Sequence, residues 1–146
     1  MDFGFAAGAM HLPAESYHRL GYQLQLGFEG EKGTVWTLSV EGAQPNVVTG
    51  YREYLGSLSF AAKFIPDTGF FRPFASLGAG LYLNRTNRQN GFVPSLYTSA
   101  GIRMGGSGFG FNLEIQTYLG MYNPLQLAIL TAWPLVTGFG GLYIVL

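Results

Sequence analysis

From Arg19 to Phe28, polar and apolar residues alternate without a break. Leu20, Tyr22, Leu24, Leu26 and Phe28 fall on one side, and Arg19, Gly21, Gln23, Gln25 and Gly27 on the other. A side-chain period of two is that of a β-strand, because successive Cβ atoms point to opposite faces. The period returns over 36–41, 57–64, 76–84, 95–104 and 109–119. It predicts eight strands, at 2–11, 18–28, 34–43, 54–64, 71–85, 94–104, 109–121 and 136–146, the first and last with the faintest alternation. Most run to ten or eleven residues. Soluble strands average ~5–6 residues, whereas a tilted membrane strand needs ~9–11.

The connections alternate in kind. Glu29–Gly33, Ile65–Phe70 and Gly105–Gly108 are short and carry Gly, Asp and Pro, which supply turn angles. The segments 12–17, 44–53, 86–93 and 122–135 are mostly longer. Short turns at one end, long loops at the other and an even strand count predict an all-β fold. It is a single domain over 1–146, a closed antiparallel transmembrane β-barrel of eight strands with both termini at the short-turn end. Two other architectures fit less well. A soluble barrel would carry Lys and Glu on its water-facing strands, but the polar faces here are Gly, Ser, Gln and Tyr. Residues 115–146 carry no charge and are long enough for a membrane helix of ~20 residues, yet Pro124, Pro134, Gly138, Gly140 and Gly141 interrupt them.

Composition strengthens the membrane reading. Charged residues are 11% of the chain, where a soluble domain has roughly 25%. Aromatics reach 16% and glycines number 22. Phe28, Trp36, Phe64, Phe71 and Phe109 fall near the short turns, and Tyr17, Tyr51, Tyr54, Tyr122 and Trp133 near the long loops. Two such belts are expected where amphipathic rings sit at lipid headgroups. The formal net charge of zero gives no electrostatic basis for a nucleic-acid partner. Without cysteine there is no disulfide, thiolate ligand or cysteine nucleophile.

Phe71-Arg72-Pro73-Phe74-Ala75-Ser76-Leu77-Gly78-Ala79-Gly80-Leu81 resembles the fifth-strand pattern of the small eight-stranded outer-membrane barrels of Gram-negative bacteria, the group of the OmpA transmembrane domain and OmpX. Gly141, Ile144 and Leu146 resemble the terminal signal read by the barrel-insertion machinery, with Leu at the end where Phe is usual. The resemblance implies the bacterial outer membrane as location and the insertion machinery as a partner during assembly. Met1–Phe5 lacks the pattern of a signal peptide, so an export signal is expected to have been removed.

Strand parity turns Arg19, Glu41, Lys63, Arg72, Arg103 and Glu114 into the lumen. An eight-stranded interior is just wide enough for side chains, so these are expected to form a polar plug; a gated pore is the alternative. Buried charges need partners. A tight 29–33 turn sets Arg19 and Glu41 as diagonal neighbours and predicts an ion pair. Arg103 is within reach of Glu114. A tight 65–70 turn sets Lys63 opposite Arg72, to be neutralised by Asp67, Glu29 or an anion.

For catalysis the candidates are His11, Ser16 and His18. Some barrels of this resemblance are lipid A deacylases or palmitoyltransferases, which need a serine activated by histidine. Deacylases carry His and Ser two residues apart on a lipid-facing strand, and Leu12-Pro13 after His11 breaks that pattern. The histidine spacing matches no standard metal site, and no cofactor is expected. Gly105-Gly106-Ser107-Gly108 lies between strands and reads as a hairpin turn, not a phosphate loop.

The segment 123–135 is apolar for a loop, with Leu125, Leu127, Ile129, Leu130 and Trp133. Such a patch marks contact with membrane or protein, or else the flanking strands extend further. Arg85 and Arg88 flank a polar loop that is either solvated or in contact with lipopolysaccharide phosphates. The functional expectation is a non-enzymatic barrel that binds lipid, lipopolysaccharide or, through 123–135, a larger membrane protein. A lipid-modifying enzyme and a small pore are the alternatives.

Overall fold

The computed structural model describes residues 1–11, 18–31, 33–48, 51–66, 69–85, 90–106, 108–120 and 135–146. Strands β1 (Asp2–His11), β2 (Arg19–Glu29), β3 (Thr34–Ala43), β5 (Tyr51–Phe64), β6 (Phe71–Arg85), β7 (Asn90–Gly105), β8 (Phe109–Gly120) and β9 (Leu135–Val145) pair antiparallel, each with its neighbour in the chain. A three-residue strand, β4 (Asn46–Val48), pairs with the start of β5 outside that circuit. The ring closes between β1 and β9, from Asp2 opposite Val145 to His11 opposite Val136. The eight-stranded closed barrel expected from the alternation is therefore present. Its faintest strands make the closure, and the charge-free 115–120 and 135–145 are strands rather than helix.

The face assignment also holds. Leu20, Leu24, Phe60, Leu77, Ile115 and Leu142 point outward and are exposed, while Gln23, Ser39, Ser59, Glu114 and Gln116 are buried inside. Outward positions of the paired strands from Phe3 to Ala9, Leu20 to Phe28, Thr34 to Gly42, Tyr54 to Phe64 and Phe71 to Leu83 contain no Asp, Glu, Lys or Arg. The same is true from Phe92 to Met104, Phe109 to Leu119 and Val136 to Ile144. Phe28, Trp36, Phe64, Phe71 and Phe109 are all exposed at the short-turn end, and Trp36 stacks on Phe60 with ring centroids 5.5 Å apart. Of the other belt, Tyr54 is exposed; Tyr17, Tyr122, Trp133 and the Tyr51 side chain lie outside the described residues.

Three short turns each use a glycine at positive φ: Gly33 (77°), Gly69 (68°) and Gly105 (130°). At Gly33 a Cβ would also stand 2.9 Å from the Ile65 carbonyl oxygen, so both angle and space require glycine.

Strand β7 is longer than its sequence suggests, and proline is the reason, whereas β6 spans the predicted 71–85. Pro94 reads as a strand start, yet β7 begins at Asn90 and pairs with β6 as far as Arg85. On its other side β7 meets β8 only from Ser95 onward. Pro94 therefore sits on a free edge, where its missing N–H is not needed. Pro73 is placed alike, beyond the last β5–β6 pair of Phe64 and Ala75.

Candidate functional site

The lumen holds the polar side chains that the alternation turned inward. Asp2, Arg19, Glu41, Lys63, Arg103 and Glu114 are all buried there, three cations against three anions; Arg72 is half-buried at the short-turn mouth. The partners differ from those expected because two turns are looser than assumed. The β2–β3 register pairs Phe28 with Trp36, so Gln23 faces Glu41 and Gly21 faces Ala43. Glu41 is thus displaced by two pairs from the predicted neighbourhood of Arg19. Instead its Oε1 accepts from Gln23 Nε2 (3.2 Å) and Tyr118 Oη (3.0 Å), and its Oε2 from Ser57 Oγ (2.8 Å).

Similarly, the β5–β6 register sets Lys63 opposite Ser76, not Arg72. Lys63 crosses the lumen. Its Nζ donates to Glu114 Oε2 at 3.0 Å and to Gln25 Oε1 at 3.1 Å, and lies 4.2 Å from the centre of the Phe74 ring. The other Glu114 oxygen accepts from Tyr97 Oη at 3.1 Å. Glu114 therefore neutralises Lys63. Asp67, one of the expected counter-ions, lies outside the described residues.

Arg103 does not use Glu114, which faces Gly101. Its Nη1 donates to Asp2 Oδ2 at 2.7 Å and its Nε to Asn112 Oδ1 at 3.3 Å, with the guanidinium 4.0 Å from the centre of the Tyr143 ring. Arg72 and Arg103 are direct partners in the β6–β7 ladder. Like charges so placed repel. Asp2 takes up Arg103, while Arg72 donates to Tyr143 Oη at 3.0 Å. Below them opens a cavity of about 300 Å³ lined by Asp2, Glu29, Val35, Ile65, Arg72 and Arg103 among others.

Sequence reasoning missed Asp2, Gln23, Gln25 and the tyrosine hydroxyls as partners. Parity carried the signal for Asp2, which shares the inward face of β1 with Ala6 and Met10. Towards the long-loop end the lumen is closed by apolar side chains, with Met10, Leu55, Tyr82, Leu135 and Phe139 buried in one cluster. Between this stopper and the mouth, a cavity lined by Gln23, Gln25, Asn112 and Glu114 measures about 10 Å³, room for about one water. Packing there needs glycine: a Cβ on Gly80 would stand 2.7 Å from the Tyr118 ring.

Among the catalytic candidates, His11 ends β1 and His18 directly precedes β2, with ring centroids 4.6 Å apart. Ser16 lies outside the described residues, as do Leu125, Leu127, Ile129, Leu130 and Trp133. Among the described residues no cluster of three or more His, Cys, Asp or Glu could hold a metal.

No protein-family model and no curated protein matches the chain. Solved structures do. Neisserial surface protein A superposes with a TM-score of 0.69 at 10% identity, covering 98% of this chain and 94% of that one. The fold is that of the small outer-membrane barrels. The N-terminal β-barrel domain of Pseudomonas aeruginosa OprF gives 0.66 at 15% identity, covering 97% and 96%. The outer membrane enzyme PagL gives 0.62 at 15% identity, covering 100% of both chains. Barrels of unlike function thus share this one architecture.

Proposed function

We propose that the chain is a non-enzymatic integral protein of the bacterial outer membrane. Its lumen is a plug, and its work is done by the loops and the lipid-facing rim. One observation carries the reading. The outward face offers lipid an uncharged apolar wall, while Lys63, Glu114, Arg103 and Asp2 are turned inward and satisfy one another. Charge on a lipid-facing wall costs ~2–4 kcal/mol at the bilayer midplane, and a balanced buried network removes the need for a water-filled lumen. The apolar stopper of Met10, Leu55 and Phe139 supports the plug against a pore. Lipid and lipopolysaccharide are the contacts proposed for the rim, the insertion machinery for assembly, and a larger membrane protein for the apolar segment 123–135.

Two measurements test this reading. Refolded protein in a planar bilayer is expected to pass no discrete single-channel current; steps of stable conductance would establish the pore instead. Mass spectrometry of outer-membrane lipids from cells with and without the protein is expected to give the same acyl pattern. A gained or lost acyl chain would identify a lipid-modifying enzyme.

A further inference from the structure

His11 and His18 are titratable side chains that the lumen network does not use. The β1–β2 ladder ends at Met10 opposite Arg19, so residues 11 and 18 are the next facing positions. Met10 and Arg19 point inward; alternation sends both histidines outward, to the barrel rim at the long-loop end. Directly facing residues on antiparallel strands have Cβ atoms about 4.5–5.5 Å apart, and these two rings come to 4.6 Å between centroids, tilted by 49°. Two imidazoles bound to one metal through nitrogens at ~2.0–2.1 Å, at angles of about 90–110°, have centroids about 4.5–5.2 Å apart. The pair therefore already has the spacing of a chelate. Moreover, His11 Nδ1 is buried and has no hydrogen-bond partner, an arrangement that costs free energy unless the lone pair or N–H is used.

We propose that His11 and His18 form a two-imidazole site for a borderline divalent transition metal, with water or anionic oxygens completing the coordination. Imidazole selects copper, nickel and zinc over magnesium and calcium, which prefer oxygen. Preorganisation on the ends of two paired strands makes the second nitrogen an intramolecular ligand. That is worth about 10²–10⁴-fold in affinity over a single imidazole.

Copper(II) is the probe. The full chain, refolded in detergent, is titrated with copper(II) and followed by calorimetry and electron paramagnetic resonance, alongside H11A and H18A. The expected result is one copper per chain with hyperfine splitting from two nitrogens, weakened about 10²-fold or more in either variant. H18A alters an exposed residue outside the strands, so it retains the barrel should H11A fail to fold. Equal copper binding by wild type and H18A, or a spectrum with oxygen ligands alone, would overturn the site.

Discussion

Lys63 has no contact with water, and its ammonium is held between Glu114, Gln25 and the Phe74 ring. Removing one member of a buried ion pair strands the other, at a cost of about 3–5 kcal/mol, whereas removing both with their volume kept is often neutral. Lys63→Met is accordingly expected to destabilise the barrel by about 3–5 kcal/mol. Adding Glu114→Gln is expected to recover most of that loss. Equilibrium urea unfolding of the two variants measures it, and equal destabilisation by single and double would mean that Lys63 acts through packing alone. At this scale the sequence was half legible. Parity turned Arg19, Glu41, Lys63, Arg103 and Glu114 inward, where they are buried, since it depends only on the strand period, but Asp2 on the faint first strand was missed. Who meets whom depends on register, and one looser turn moves every pair on a strand.

Along each strand, the physical contrast lies between faces and between depths. Leu24 is central on the outer face of β2, and Phe28 shares that face near the short-turn girdle. An arginine on the lipid face costs ~2–4 kcal/mol at the midplane and ~0–1 near the interface. Leu24→Arg is therefore expected to destabilise the protein in lipid vesicles by about 2–4 kcal/mol and Phe28→Arg by under about 1. Equal effects at the two positions would show that depth in a bilayer is not what they sense. Strand existence was legible because alternation is a local signal. Strand ends were less so: Pro94 imitates a boundary, and only the pairing pattern reveals that it lies on a free edge. His11 and His18 were legible only as histidines on either side of one loop, because seven residues of chain separation hide a facing pair until the register of β1 and β2 is known.

For the whole molecule, a barrel with charge inside and apolar surface outside needs lipid or detergent rather than water against that surface. Closure leaves no unpaired sheet edge within the ring, which satisfies the backbone where no water is available. Met10, Leu55 and Phe139 and the paired charges lie inside the barrel, while its apolar side chains face outward. Lipid contact is most directly tested through Trp36, which is exposed on the outer wall beside Phe60 near the short-turn girdle. With Trp133→Phe removing the second of the two tryptophans, Trp36 fluorescence is read in vesicles of lipids brominated at different acyl-chain depths. Strong quenching, greatest for bromines nearest the headgroups, is the result expected of an outward girdle residue. Folded protein whose Trp36 is untouched by bromine at every depth would contradict a lipid-facing wall.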